Sequence, residues 1–260
     1  MDILFYALLI IGAYLIGAIP FGFLIGKLYG VDVRKVGSCN IGATNVTRTV
    51  GKLPGKICFV LDFLKGATPA FAAQIAYPAE SWLTFSCCAL AVLGHIFPVY
   101  LKFKGGKGIS TAAGATVALA PLPLLGAALV WVAGFLIWRY VSLASILAAV
   151  SLPILAWVLQ LLEIGPAASR TWLTIAFLCI LSLVAIIRHL GNIQRLLAGT
   201  ENRFLKPGEA EPKLAGGELK VIEIEQEPAD GELKVIEIEQ KPADGDKPVT
   251  AKDTSQTREA

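Results

Sequence analysis

Three stretches of this chain carry residue types that bind phosphate groups. The first, Arg34–Arg48, places glycines, asparagines, threonines and Ser38 between basic residues at both ends. Backbone N–H groups in tight turns, together with hydroxyl and amide donors, are suited to holding phosphate oxygens. The alternative is an ordinary positively charged loop, but such loops rarely interleave so many small polar residues with the charges. The composition therefore favours a phosphate-binding segment.

The second stretch, Lys102–Thr111, sets three glycines around one lysine, immediately before a predicted helix. Gly105, Gly106 and Gly108 let the backbone approach an anion, while Lys107 and the helix N-terminus supply positive charge. The spacing is not that of a Walker A loop, and no strand precedes it. This stretch predicts a second phosphate cradle.

The third stretch, residues 188–203, contains one of the two histidines of the chain. On a helix, His189 and Asn192 share a face, and Arg195 stacks at similar spacing. The alternative is a basic segment whose side chains reach out of the membrane at the end of a span. We interpret His189 as functional. His95 stays open between a functional role and packing beside Pro98.

Three further charged residues are interpreted as structural. Asp62 and Lys65 lie three apart within an apolar block, and charges at membrane depth usually pair and face the protein interior. We therefore expect an ion pair that supports the site. Glu201 is expected to neutralise a nearby arginine. No cluster of residues typical of a metal site is visible in the sequence.

Apolar blocks must position these stretches. The chain is 55% hydrophobic and 17% charged, whereas soluble domains carry about a quarter charged residues. Because about 20 apolar residues cross a bilayer as a helix, and because the bilayer demands internal backbone hydrogen bonding, the blocks predict an all-α integral membrane protein. Pro121 and Pro123 divide one long block into two short helices. The seven predicted spans are about 3–26, 57–77, 82–100, 109–121, 123–138, 142–162 and 171–188.

The distribution of basic residues predicts the orientation. With the N-terminus outside, thirteen Lys and Arg residues fall in inside loops and only Arg170 falls outside. Cytoplasmic loops carry such an excess. We therefore expect an external N-terminus, a cytoplasmic C-terminus and all three polar stretches on the cytoplasmic face.

The C-terminal part of the chain has the opposite charge. Residues 1–203 carry a net charge of +9, and residues 204–260 carry −6. The sequence from Gly217 to Gln226 recurs from Gly231 to Gln240. Two copies cannot bury a core, so disorder or transient strands are expected. The predicted domains are a membrane domain, 1–205, and a charged tail, 206–260, that is dispensable for chemistry.

The order of the motifs resembles the bacterial acyl-phosphate:glycerol-3-phosphate acyltransferase family over about residues 1–205. One departure is Cys39, where the family commonly has glycine. The resembling segments are Gly17-Ala18-Ile19-Pro20-Phe21-Gly22, Gly37-Ser38-Cys39-Asn40-Ile41-Gly42-Ala43-Thr44-Asn45, Gly94-His95-Ile96-Phe97-Pro98, Gly105-Gly106-Lys107-Gly108 and Arg188-His189 with Asn192-Ile193 and Arg195.

The resemblance implies a seven-helix enzyme of the bacterial inner membrane, with its active site on the cytoplasmic face. It would transfer a fatty acyl group from acyl phosphate to the 1-position of glycerol 3-phosphate, giving lysophosphatidic acid and inorganic phosphate for phospholipid synthesis. Membrane lipid would surround it, and the soluble phosphate acyltransferase that makes the donor would be a transient partner. No cofactor and no nucleic-acid partner are expected.

The resemblance also implies roles for individual residues. The proton acceptor stays open between His189 and a substrate phosphate oxygen, with the substrate favoured. The implied glycerol-3-phosphate and catalytic residues are Ser38, Arg48, Lys107, His189 and Asn192. The implied acyl-phosphate residues are Thr44, Asn45, Gly105, Gly106 and Gly108.

Three other functions are weaker. The dyad of CoA-dependent glycerolipid acyltransferases, a His followed five residues later by Asp, is absent, since Tyr100 and Gln194 occupy those positions. An organic-phosphate transporter would place its charges near the bilayer midplane. A phosphatidyl-group transferase would need clustered aspartates for a divalent metal, but only three Asp precede the tail.

Overall fold

The computed structural model describes residues 2–166 and 171–204, and the backbone of the tail segments 220–226 and 233–239. The chain divides into two compact units, Met1–Glu209 and Ala210–Ala260. The described part of the first unit is helical. Its helices are α1 (Asp2–Ala18), α2 (Phe21–Leu28), α3 (Ala43–Thr49), α4 (Lys52–Ala76), α5 (Ser81–Ile96), a 3₁₀ turn (Val99–Leu101), α6 (Ile109–Leu119), α7 (Pro121–Trp138), α8 (Val141–Leu161), α9 (Trp172–Arg188) and α10 (Leu190–Leu197).

Prolines set two of the helix boundaries. The predicted first span is divided at Ile19 and Pro20 into α1 and α2, since proline has no N–H to continue the helical ladder. The predicted break near Pro121 is present, but α7 begins at Pro121 itself. Proline is tolerated at the first helical position, where its missing N–H needs no partner.

Four helical stretches are long and apolar enough to cross a membrane, and α9 with α10 makes a fifth if that pair, bent by 56°, is one span. Two predicted spans do not meet this criterion. Helix α6 has 11 residues, and α4 contains four charged side chains. The prediction of seven spans with an external N-terminus stays a prediction. The qualifying stretches are Asp2–Leu28, Ser81–Leu101, Pro121–Trp138 and Val141–Leu161.

Helix α4 packs against α1, α3, α5 and α6. Its contact with α6 depends on two glycines, because a Cβ at Gly66 would collide with the Thr111 carbonyl, and one at Gly114 with the Phe63 carbonyl. Small residues let helix backbones approach closely in membranes. Asp62 and Lys65 of α4 consequently lie buried inside the protein.

Parts of the two copies of the tail repeat pair as strands in the second unit. Strand β1 (Lys220–Gln226) pairs antiparallel with β2 (Leu233–Glu239), with Lys220 opposite Glu239 and Gln226 opposite Leu233. These segments are strands in the structure, and the transience predicted for such strands stays a prediction. The remainder of the tail lies outside the described residues, so disorder there stays a prediction.

Candidate active site

The three polar stretches meet at one cavity of about 140 Å³. Most of the predicted site residues line it, while Gly105, Gly106 and Lys65 lie outside the lining. The lining residues are Ser38, Asn40, Gly42, Ala43, Thr44, Asn45 and Arg48 from the first stretch; Lys107, Gly108, Ile109 and Ser110 from the second; His189, Asn192 and Glu201 from the third; and Phe59, Asp62, His95, Trp131, Val141, Ser142 and Ser145 from the helices.

Asn45 organises the first stretch. Its side chain is buried, and its Nδ2 donates to the carbonyls of Val33 and Asn40 at 2.8 and 2.9 Å. Its Oδ1 accepts the Ser38 N–H at 2.9 Å. The amide that sequence reasoning assigned to the acyl phosphate is thus occupied in shaping the loop that presents Ser38.

Arg48 lies near the C-terminal end of α3 and is half-buried at the cavity. Its Nη2 donates to the Asn202 carbonyl at 3.1 Å, and its Cζ lies 4.8 Å from the Phe204 ring centroid. The guanidinium is therefore held from the segment that follows α10. Sequence reasoning predicted Arg48 but neither of these two contacts.

Lys107, Asn192 and Glu201 form a chain of contacts across the cavity. Lys107 Nζ donates to Asn192 Oδ1 at 2.5 Å, and Asn192 Nδ2 donates to Glu201 Oε1 at 2.7 Å. Glu201 therefore fixes which end of the Asn192 amide faces the lysine. Its other oxygen accepts Arg195 Nε at 2.7 Å, so Glu201 pairs with an arginine as the sequence suggested.

Burial is the largest influence on the pKa of both Lys107 and Glu201, but only for Lys107 does it decide the direction of the shift. Loss of solvent lowers the pKa of Lys107 to about 8, with Glu201 acting in the opposite direction. Burial acts to raise the pKa of Glu201, but the hydrogen bonds from Asn192, Ser142 and Arg195 hold it below its usual value. A buried lysine whose pKa is shifted toward neutral pH is typical of functional sites.

His189 lies at the bend between α9 and α10 rather than within a continuous helix. The backbone N–H of Asn192 donates to the His189 carbonyl at 2.8 Å, so the two residues share the first turn of α10. Nδ1 of His189 lies 2.8 Å from the Ala185 carbonyl, which only accepts hydrogen bonds. Nδ1 must therefore carry the proton, which leaves Nε2 as the acceptor in the neutral ring.

The glycines of the second stretch have two different environments. Gly108 lines the cavity and caps α6 with φ of +80°. Gly105 and Gly106 pack against His95 instead: a Cβ at Gly106 would collide with His95 Nε2, and one at Gly105 with the His95 carbonyl. These two glycines permit close packing behind the cavity wall.

A buried polar cluster supports that wall. Lys65 Nζ lies 2.8 Å from Asp62 Oδ1 and donates to the Ile19 carbonyl at 2.7 Å. The predicted ion pair thus fixes the break between α1 and α2 as well. His95 Nδ1 lies 3.1 Å from Thr111 Oγ1 and 3.7 Å from Asp62 Oδ1, and His95 therefore joins α4, α5 and α6.

Sequence reasoning missed the wall contributed by α7 and α8. Ser142 Oγ donates to Glu201 Oε1 at 2.8 Å, and Trp131 Nε1 donates to Ser145 Oγ at 3.1 Å. Ser142 and Ser145 are three apart at the start of an apolar helix, which puts them on one face. This spacing of two serines could have indicated a polar face at the start of α8. Trp131 carries no such signal, because it lies in a continuous apolar block.

A second, apolar cavity of about 80 Å³ adjoins the first. The two share Ile109 and Ser145. Its walls come from α6, α7, α8 and α9 and consist mainly of alanines and leucines, with Thr116 and Ser182. The polar cavity therefore lies beside an apolar space of the kind that suits a hydrocarbon chain. Within the described residues, no group of three or more His, Cys, Asp or Glu could hold a metal ion.

Fold and site together define the class of this protein: it is helical, with several candidate membrane spans and a cavity lined by the cationic side chains Arg48 and Lys107. The sequence profile of the family described as glycerol-3-phosphate acyltransferase matches residues 7–199, ending just before Glu201. The chain belongs to the glycerol-3-phosphate acyltransferase family, which confirms the resemblance stated above.

Individual relatives agree with that assignment. The glycerol-3-phosphate acyltransferase of Aquifex aeolicus is 48% identical over 197 residues, which is 75% of this chain and 97% of the relative. That of Trichlorobacter lovleyi is 46% identical over 198 residues, with 75% and 95% covered. A crystal structure of PlsY, an integral membrane glycerol 3-phosphate acyltransferase in its glycerol 3-phosphate form, matches with a TM-score of 0.70 and 45% identity. The match covers 76% of this chain and 95% of that one.

Proposed function

We propose that this protein transfers a fatty acyl group from acyl phosphate to the 1-hydroxyl of glycerol 3-phosphate. The products are lysophosphatidic acid and inorganic phosphate. The observation that carries the proposal is the convergence of Arg48, Lys107 and His189 on one polar cavity that adjoins an apolar one. Two phosphate-bearing reactants, one with a lipid chain, need this pairing of environments.

The acceptor is bound by Ser38, Arg48, Lys107, His189 and Asn192. Arg48 and Lys107 neutralise its phosphate, since charge-assisted hydrogen bonds to phosphate are the strong ones. Asn192 is tied to both Lys107 and Glu201 and keeps the ammonium in place. Ser38 and His189 orient the glycerol hydroxyls.

The acyl phosphate lies against Thr44 and Gly108, which line the same cavity. Asn45, Gly105 and Gly106 shape this wall, because their contacts are with the loop backbone and with His95. The acyl chain enters the apolar cavity past Ile109 and Ser145 and continues between the helices toward lipid. The enclosed volume of about 80 Å³ holds only its first carbons.

The reaction is a displacement at the acyl carbonyl. The glycerol oxygen attacks, the bond from the carbonyl carbon to the phosphate oxygen breaks, and phosphate leaves with its electron pair. Because an acyl phosphate is a mixed anhydride with a good leaving group, positioning and charge stabilisation supply most of the catalysis. The hydroxyl proton goes to a substrate phosphate oxygen, with His189 Nε2 as the alternative acceptor.

The membrane arrangement follows the charge pattern. The α1–α2 pair, α4, α5, α6, α7, α8 and α9 make up seven spans of the bacterial inner membrane, with an external N-terminus and a cytoplasmic tail. The supporting observation is that, in this orientation, thirteen basic residues fall in the inside loops and only one falls outside. Cytoplasmic loops carry such an excess of Lys and Arg. The cavity then faces the cytoplasm, where the soluble phosphate acyltransferase supplies the donor.

Purified full-length protein tests the function. Acyl phosphate with glycerol 3-phosphate should give free phosphate and a lysolipid in equal amounts, and acyl-CoA should give neither. Insensitivity to chelators would separate this reaction from metal-dependent phosphatidyl transfer. A folded preparation that forms no lysolipid would exclude the proposal and return the organic-phosphate transporter to consideration.

A further inference from the structure

The short segment Glu201–Phe204, which we call the closing segment, follows α10 and contacts several walls of the cavity. Glu201 accepts from Ser142 of α8 and Asn192 of α10. Asn202 accepts from Arg48 of α3 through its carbonyl. The Phe204 N–H donates to the Arg139 carbonyl at 3.0 Å, just after α7. The segment therefore connects four parts of the site.

Arg48 is the substrate-facing residue that this segment holds most directly. Its Cζ lies 4.8 Å from the Phe204 ring centroid, and Nη2 bonds the Asn202 carbonyl. The ring over the guanidinium and the one hydrogen bond together restrict the orientation of the Arg48 side chain. Arg has five N–H donors, so this arrangement uses one and keeps the plane available to a bidentate phosphate.

Phe204 is itself immobilised. Its ring centroid lies 5.7 Å from that of Phe135 in an edge-to-face arrangement, a favourable geometry for aromatic pairs. Phe135 in turn stacks on Trp131 at 5.4 Å, and Trp131 lines the cavity. An anchored row of three rings thus runs from the cavity wall to the face of Arg48.

We propose that Phe204 is a positioning residue that holds the Arg48 guanidinium in the orientation that binds the acceptor phosphate. The inference rests on the proposed function, in which Arg48 binds glycerol 3-phosphate. A flexible arginine would lose side-chain entropy when the substrate binds. The ring removes that loss beforehand, because the cation is already held against its face.

Two full-length variants distinguish a ring from simple packing. Phe204→Leu keeps apolar volume but removes the aromatic face, and Phe204→Trp restores a face. In Phe204→Leu, we expect the KM for glycerol 3-phosphate to rise about 2- to 13-fold, the cost of ordering one flexible side chain on binding, with the KM for acyl phosphate and kcat within about twofold. Phe204→Trp should stay close to wild type.

The matched control is Phe23→Leu. The Phe23 ring covers Arg34 at 4.3 Å, but that arginine pairs with Asp32 and does not line the cavity. Both KM values should be unchanged in this variant. Melting temperatures of all variants establish that each is folded before its kinetics are compared.

Each outcome decides the inference. A selective rise in the glycerol 3-phosphate KM in Phe204→Leu, reversed in Phe204→Trp, supports positioning. An unchanged KM in Phe204→Leu, or equal losses in both variants, overturns the positioning role. In that case the proposed function still stands, provided that the wild-type protein forms lysolipid. If wild type makes no lysolipid, the proposed function fails. Thermal stabilisation by glycerol 3-phosphate, equal in wild type and Phe204→Leu, would then overturn the positioning role, and weaker stabilisation in the variant would support it.

Discussion

The polar cavity and the apolar cavity adjoin each other but are built by opposite means. In the polar cavity, side chains such as Asn45, Asn192 and Glu201 each make several hydrogen bonds that fix their orientation. The apolar cavity is formed by small side chains that leave space, among them Ala112, Ala148 and Ala149. Phosphate recognition depends on the direction of hydrogen bonds, whereas burial of a hydrocarbon chain is non-directional and needs only volume. Substitutions should therefore act differently in the two places.

The largest effect is expected at Arg48. Arg48→Ala should lower kcat/KM for glycerol 3-phosphate by about a thousandfold, because losing one partner of a buried charged contact costs about 2–5 kcal/mol. Arg48→Lys should recover part of this, since it keeps the charge without the fork of donors. Steady-state kinetics on folded protein measure both. Wild-type turnover in Arg48→Ala would show that the polar cavity does not depend on a directed contact from Arg48.

The next effect concerns the wall behind the polar cavity. A Cβ at Gly106 would collide with His95, and overpacking of this kind costs about 1–3 kcal/mol. Because the strain falls on the wall of the donor site, about 2 kcal/mol of it should raise the KM for acyl phosphate about 30-fold in Gly106→Ala. The KM for glycerol 3-phosphate should change less. Gly12→Ala is the matched control, because a Cβ there meets nothing within 4 Å. An equal effect on both substrates would contradict a wall specific to the donor.

The pH profile tests the charge of the polar cavity alone. Since burial lowers the pKa of Lys107 to about 8, the ammonium is present below that pH and is lost above it. Under saturating acyl phosphate, kcat/KM for glycerol 3-phosphate should fall about tenfold per pH unit above about 8. Phosphate monoesters titrate near pH 6, so the substrate is not the cause. Lys107→Arg should move this limb beyond pH 10, and an unmoved limb would assign it to another group.

A smaller and purely steric effect is expected in the apolar cavity. Ala148→Leu fills part of its volume and should raise the KM for acyl phosphate about fivefold, corresponding to about 1 kcal/mol of overpacking. The KM for glycerol 3-phosphate should not change. Ala128→Leu, on an exposed face of α7, is the control. A change in the acceptor KM would show that the two cavities are not separable.

The smallest effect is expected from the tail. A chain ending at Glu209 keeps the first compact unit and the closing segment. Its turnover should stay within about twofold of wild type, as for changes remote from the site. A chain ending at Leu197 loses Glu201 and Phe204 and should lose most of its activity. Similar activities for the two truncations would refute a role for the closing segment.

The site residues differ in how far sequence alone could assign them. Arg48, Lys107 and His189 were predicted, because cations, glycines and a rare histidine stand out against apolar blocks. Phe204, Ser142 and Trp131 were not, because an aromatic residue or a single serine has no distinctive pattern. Asn45 was identified, yet its contacts lie with Val33, Val36 and Asn40. Its assignment to the acyl phosphate came from the family resemblance, which does not specify these contacts.

Sequence by itself determined the helical class, the break near Pro121, the opposite charges of the two parts of the chain and the three polar stretches. These are local properties, since hydropathy, backbone restriction and charge are read from neighbouring residues. Only tertiary structure decided that Gly105 and Gly106 pack against His95, that Glu201 orients Asn192 and that Phe204 covers Arg48. Such contacts join residues up to 156 positions apart in the sequence. Their geometry depends on how whole helices pack, and residue type does not specify that packing.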